Sequence, residues 1–270
     1  MENQTNNPTD GGDQWIDLNC DVGESSGDQI IGNDQVLIPL VTSANIACGA
    51  HGGDREHVAN AVKIAVQHGV RIGAHPSYPD RENFGRQPMD LTELELADTL
   101  SQQLAFLADI VSEQDASISY VKPHGALYHR CSQDTTTARV VVETARAFDA
   151  SLSMMGQGGT EFERVCETMT VPYIREAFAD RRYLECGQLK PRRFSDAVIT
   201  DPNAAALQGA SIALKNVVAL DSDQKISVVA DSICVHGDNP IAAETLRLIR
   251  AKILAAGVSI GLRVLRHGAQ

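Results

Sequence analysis

Short apolar segments ending in polar, glycine-containing strings recur along this chain, with longer amphipathic stretches between them. That alternation limits the folds open to it. The strand candidates are residues 15–20, 43–48, 70–75, 118–122, 151–155, 171–175, 226–235 and 258–260. Apolar spacing near 3.6 residues predicts helices over 55–68, 94–113, 135–148, 159–167, 202–215 and 241–255. The string DLTELE from Asp90 offers capping groups to the second helix, and Gly69 a stop to the first. Seven or eight strand–helix units within 270 residues predict an α/β fold whose parallel sheet closes as a TIM-like barrel. An open doubly wound sheet is the alternative. Residues 178–200 break the alternation and are expected as a long excursion near one mouth.

Composition fits that architecture. Apolar residues make up 43% and aromatics 4%, so the core must be mainly Ala, Val, Ile and Leu. Residues 1–13 are polar and expected as a disordered tail, and 14–270 as one barrel domain without linker or repeat. A net charge of −12 disfavours nucleic acid or an anionic membrane as partner. No apolar run is long enough to span a bilayer. Six scattered cysteines without a C-x-x-C, and no signal peptide, predict free thiols in the cytoplasm.

Strand parity locates the chemistry, because alternate residues point to opposite faces. In WIDLNCD, Ile16 and Leu18 share one face while Asp17, Asn19 and Asp21 share the other. With the apolar face against helices, the polar one enters the barrel. Tyr120, Lys122 and His124 form a second such row, and Ser232, Cys234 and His236 a third. Buried ionisable groups are costly unless paired or used. The strands run into the strings DVGE, CGAHGGD, GAHP, KPHGALY, FADRR and CVHGD, which would surround one cavity at the C-terminal mouth. His51, His75, His124 and His236 fall there; His57 and His68 belong to a helix and its end, and His267 to the tail. One histidine at a strand end is ordinarily structural, but four at equivalent positions favour a site. Asp17 reads equally well as an internal acceptor, Asp180, Arg181 and Arg182 as a surface ion-pair run, and Cys48 and Cys234 as small core residues.

These groups could serve as acid and base, or Asp21, His51 and His75 could hold a divalent metal. Their spacing matches no compact metal motif. Neither a G-x-x-x-x-G-K-[ST] loop nor a G-x-S-x-G elbow occurs, which disfavours an ordinary P-loop ATPase and a serine hydrolase.

The strings DLNCDVGE, VTSANIACGAHGGD, GAHPSYPDRENFGR, VKPHGALY, EAFADRRY and CVHGDNP, in this order, resemble the LamB/YcsF family. The resemblance implies a distorted β/α barrel of the glycoside hydrolase/deacetylase type. It also implies ATP-dependent hydrolysis of 5-oxo-L-proline, a lactam, to L-glutamate, together with allophanate-hydrolase-like B and C subunits. ATP and its Mg2+ are then expected to be held mainly by those partners. Within this reading Lys122 stabilises charge, Asp21 or Glu24 is the base, and His124 or His236 the acid. Arg86 meets the substrate carboxylate, and Asp17, Asn19, Asn45, His51, His75, Asp180, Arg181 and Asp238 complete the substrate site. Lys122→Met and His124→Ala are expected to abolish turnover without unfolding the chain. The chain departs from the family pattern at Ser26 and Ala50, where aromatics are usual, which could widen the pocket. Two further possibilities are a stand-alone metal-dependent amide or N-acetyl hydrolase and a non-catalytic lactam-binding subunit.

Overall fold

A computed structural model of the chain describes residues 14–220 and 224–261. The expected tail over 1–13, and His267, lie outside the described residues. The strands are β1 (Trp15–Val22), β2 (Ser43–Ala47), β3 (Arg71–His75), β4 (Ile118–Val121), β5 (Ser153–Gln157), β6 (Tyr173–Phe178), β7 (Val217–Ala219), β8 (Lys225–Ser227), β9 (Ser232–Val235) and β10 (Ser259–Ile260). The helices are α1 (Asp34–Leu37), α2 (Arg55–Gln67), α3 (Glu93–Ser112), α4 (Gly125–Gln133), α5 (Thr135–Phe148), α6 (Glu161–Thr168), α7 (Pro202–Lys215) and α8 (Ala242–Ala255).

Strands β1 to β6 pair in sequence order, β6 pairs with β9, and β9 returns to β1, all parallel. Seven strands therefore close a distorted TIM-like barrel, and the open doubly wound alternative is excluded. The two-residue β10 pairs only with Trp15 and Ile16 at the start of β1. The apolar parity of each strand explains the closure. Ile16, Leu18, Cys20 and Val22 join one large core with the inward faces of the helices, whereas Tyr120, Met155 and Ile174 form a small separate cluster. Tyr120 lies over Gly73 of the neighbouring strand, as a barrel-interior residue must.

Local signals account for the helix ends. Thr92 and Glu95 make a reciprocal capping box at α3, satisfying backbone donors that a helix start leaves unpaired. Asp54 caps α2 by accepting from the His57 backbone N–H. Gly69 follows α2 with φ +63°.

Three expectations need correction. Residues 226–235 are not one strand: β8 pairs antiparallel with β7 in a hairpin outside the barrel, and β9 starts afresh at Ser232. Between them Asp231 fixes the chain to both neighbours, taking the Arg175 N–H on its carboxylate and the Asp17 N–H on its carbonyl. The string KPHGALY is not all loop, because α4 begins at Gly125, directly after His124. Finally, Asp180 and Arg181 are not a surface run; both are buried. The excursion itself is present, since residues 179–201 carry neither helix nor strand.

Candidate active site

The polar rows inside the barrel form tiers. At the bottom, Asp17 accepts from Thr42 Oγ1 and Ser43 Oγ at 2.7 Å each, and from Ser232 Oγ. Burial pushes its carboxyl up, against an opposing Arg71. One tier higher, Asn19 Nδ2 donates to Ser232 Oγ, Asn45 Nδ2 to both Asn19 Oδ1 and Asp21 Oδ1, and Tyr120 Oη to Asn45 Oδ1. Asp17, Asn19 and Asn45 do not line the cavity above; they support it. Expected from the sequence to bind substrate, they have their polar groups taken up by Thr42, Ser43, Ser232, Asp21 and Tyr120.

The third tier is ionic. Lys122 Nζ sits 2.9 Å from Asp21 Oδ1 and 2.6 Å from Glu176 Oε1, with Cys234 Sγ at 3.3 Å. Burial alone would lower the Lys122 pKa, but Asp21, Cys234 and Glu176 outweigh it and hold the ammonium well above its ordinary value. Burial likewise opposes ionisation of Asp21, yet Lys122 and His75 keep its carboxyl well below the usual range. Cys234 is thus a neighbour of the charged group rather than plain core, with its thiol pushed up by burial. Glu176 is not among the site residues that the sequence singles out, although it opens the string EAFADRRY and shares the parity of Phe178.

Beside this tier, Glu24, His51, His75 and His124 bring four potential donor atoms within 4.8 Å of one another, all buried. Backbone close approach builds the cluster. Gly53 has φ +78°, donates its N–H to the Glu24 carbonyl, and a Cβ there would stand 2.6 Å from the Gly23 oxygen. Gly85, with φ +65°, leaves room for His51 and His124, which a Cβ would meet at 2.9 and 3.0 Å. Burial, reinforced by the Asp21 and Asp238 carboxylates, raises the Glu24 pKa well above the ordinary value. Burial and the neighbouring imidazoles push His51 and His124 well below theirs. The 3.4 Å contact of His51 with Glu24 thus joins two groups whose charged forms burial disfavours.

A cavity of about 470 Å³ opens above these groups, within the range of small-molecule sites. Asp21, Glu24, His75, Lys122 and His124 form its base, and Arg86, Arg181, His236 and Asp238 its wall. Arg86 pairs with Asp238 and lies 4.9 Å over the Phe84 ring. His236 gives its Nδ1 proton and backbone N–H to the buried Asp180 and stacks on Phe178. Asp180 and His51 stand behind the cavity lining rather than in it. Arg181 donates to the Ala197 and Lys190 carbonyls, while burial and Arg192 pull its pKa down to about 10. Gln208 of α7 fixes the start of the excursion by donating to the Phe178, Ala179 and Arg181 carbonyls. The excursion adds Arg192 and Arg193 to the wall, and α4 adds Tyr128 and His129. Tyr128 closes the string KPHGALY, whereas His129, Arg192 and Arg193 are not singled out in the sequence.

The chain is similar to known proteins over most of its length. The 5-oxoprolinase A subunit of Symbiobacterium thermophilum is 41% identical over 246 residues, covering 91% of this chain and 94% of that protein. The crystal structure of a lactam utilization protein from Thermus thermophilus superposes with a TM-score of 0.86 at 37% identity, covering 92% of this chain and all of the other. The catalytic domain of a peptidoglycan N-acetylglucosamine deacetylase from Eubacterium rectale shares the fold alone, with a TM-score of 0.52 at 10% identity and coverage of 98% and 96%. The LamB/YcsF family model matches residues 16–265. With the family's span taking in every barrel strand and every group at the cavity base, the chain belongs to the LamB/YcsF family.

Proposed function

We propose that this chain is the A component of an ATP-coupled 5-oxoprolinase, opening 5-oxo-L-proline to L-glutamate together with allophanate-hydrolase-like B and C subunits. The observation that carries the reading is the Lys122 ammonium, clamped between Asp21 and Glu176 at the base of a small cavity and beside the Glu24–histidine cluster. The naming of relatives about 40% identical over most of the chain supports the substrate. Free cysteines throughout the described residues are in keeping with a cytoplasmic enzyme.

Hydrolysis breaks the ring C–N bond, forms a C–O bond from water, and delivers a proton to the departing nitrogen. An unstrained five-membered lactam resists this, so transfer of the ATP γ-phosphoryl group to the amide oxygen activates the carbon; C–N cleavage then leaves the new carboxyl phosphorylated, and a second water releases phosphate. ATP and its Mg2+ belong mainly to the partner subunits in this scheme, since the chain has no phosphate-binding P-loop string. Lys122 faces the charge that gathers on oxygen; a fixed ammonium in a water-poor site needs little reorganisation to do so. Asp21, already bonded by Lys122 and Asn45, holds that lysine in place rather than taking a proton. Glu24, whose Oε1 accepts no hydrogen bond, takes the proton of the attacking water. His236, oriented by Asp180 at 2.9 Å, returns a proton to nitrogen in its imidazolium form. Arg86 is placed to exchange Asp238 for the substrate carboxylate.

Combining the purified chain with the products of its neighbouring reading frames tests this directly. Glutamate release from 5-oxoproline should need all components and ATP. Release without ATP by this chain alone would instead support a metal-dependent amide hydrolase, a reading that the histidine cluster also suits.

A further inference from the structure

We propose that Glu24, His75 and His124 bind a divalent first-row transition ion of the zinc type, with His51 standing beside its open coordination position. The inference rests on these side chains and not on the lactam reading.

Hydrogen bonding fixes the tautomers. His75 Nδ1 lies 2.7 Å from the Lys122 carbonyl oxygen, and His124 Nε2 lies 2.9 Å from that of Phe84. A carbonyl only accepts, so both of these nitrogens carry hydrogen. With both rings neutral, the remaining nitrogens, His75 Nε2 and His124 Nδ1, present lone pairs to each other across 3.0 Å. Two acceptors at that distance repel unless a proton lies between them or a metal cation lies against both. Nitrogens about 2.1 Å from one ion at a roughly tetrahedral or right angle stand about 3.0–3.4 Å apart. The two ring planes are at 88°, which lets their in-plane lone pairs converge.

Glu24 supplies the third donor. Its Oε1 is 3.8 Å from His124 Nδ1 and is buried without a hydrogen-bond donor. Ligation through Oε1 leaves Oε2 for the water proton assigned to Glu24 above. His51 differs from the other two imidazoles. It stacks on His124 with the rings 3° from parallel and 3.8 Å apart, so their lone pairs run side by side rather than meeting at one point. Both of its nitrogens are buried and unbonded, with Nε2 3.4 Å from Glu24 Oε1. That suits a neighbour of the ion rather than a ligand. Asp21, a metal candidate from the sequence, gives its Oδ1 to Lys122 and Asn45 and brings Oδ2 to 3.5 Å from His75 Nε2, outside the Glu24–histidine group.

The surroundings match a metal centre. Each ligating imidazole has its outer N–H on a backbone carbonyl, the arrangement that orients metal-bound histidines. Glu24, His75 and His124 all line the cavity, so three protein ligands would leave a position open to substrate, as catalytic rather than structural sites do. Imidazoles and a carboxylate favour zinc and its neighbours over calcium or magnesium. Bound there, the ion would add positive charge where the amide oxygen gathers negative charge.

The test is metal content of the tag-free full chain from zinc-replete cells, read by inductively coupled plasma mass spectrometry. About one equivalent per chain is expected. Glu24→Gln and His75→Ala should lower it about ten-fold or more, while His57→Ala should leave it unchanged. Should the variants not fold, cobalt titration of the chelator-stripped wild-type chain replaces them, with a saturable visible band of low-symmetry cobalt as the expected result. A folded wild-type chain that takes up neither zinc nor cobalt overturns the proposal, as does full metal content in folded Glu24→Gln and His75→Ala.

Discussion

Replacing Lys122 by Met removes the one ammonium shared by Asp21 and Glu176 and leaves a methylene stem of similar length. At an effective dielectric of about 20, contacts of 2.9 and 2.6 Å are each worth about 6 kcal/mol of attraction. Desolvating the three groups offsets several kcal/mol per ion, and breaking such a buried pair from one side costs about 3–5 kcal/mol. Typical domains hold about 5–15 kcal/mol in reserve, so the variant should fold but with a clearly smaller margin. The cost follows from the surroundings of Lys122, which is 2% exposed and faces two carboxylates. The sign of the pH effect follows. In the wild type, burial opposes ionisation of Asp21, but Lys122 and His75 depress its carboxyl, so that stabilisation is present above the ordinary carboxylate value and is lost only in stronger acid. In the variant a proton can replace the missing charge, so the deficit should shrink as pH falls. Urea unfolding followed by circular dichroism at about pH 5.5 and pH 8 measures both quantities, and Glu176→Gln in the same chain should restore part of the loss. A deficit below about 1 kcal/mol, equal at the two pH values, would refute the reasoning.

Arg86→Ala should raise KM for an anionic lactam about ten-fold with little change in kcat, because Arg86 binds the ground and transition states alike; steady-state kinetics decide, and an unchanged KM contradicts the role. Gly73→Ala puts a Cβ 2.1 Å from Tyr120 Cζ and should cost about 1–3 kcal/mol or more through overpacking, read as a lowered Tm; an unaltered Tm would show that the ring moves aside. Burial raises the Asp34 pKa to about 6 despite a hydrogen bond from Gly23. Its stabilisation is full below the ordinary carboxylate value and disappears as pH rises through about 6, so Asp34→Asn should flatten the fall in stability between these limits. At most about 3 kcal/mol is involved, less after solvent screening, and parallel wild-type and variant curves would be the contrary result.

Much of the barrel is legible because both of its periodicities are local. WIDLNCD alternates strictly, so parity alone sends Asp17, Asn19 and Asp21 inward, where the structure has them. What parity cannot supply is height along the strand or the identity of the neighbour across the barrel. Asp17 and Asp21 look alike in sequence, yet one anchors hydroxyls at the floor and the other meets Lys122 at the cavity. Glu176 meets Lys122 because β6 and β4 flank β5 and both side chains point into the barrel. Asp180 and Arg181 read as solvated because they sit in a charged run; the excursion over residues 179–201 covers them, and its carbonyls satisfy the guanidinium. The histidines are legible as a group at strand ends, but their tautomers depend on carbonyls of Phe84 and Lys122 that sequence spacing does not place.

The central claim is that ring opening takes place at the Glu24–Lys122 end of this barrel. Glu24→Gln, nearly isosteric, tests it most directly in the complex reconstituted with the partner subunits. Glutamate formed from 5-oxoproline should fall at least about 100-fold while the complex still assembles. Glutamate formation near the wild-type rate in that assembled complex would contradict the account.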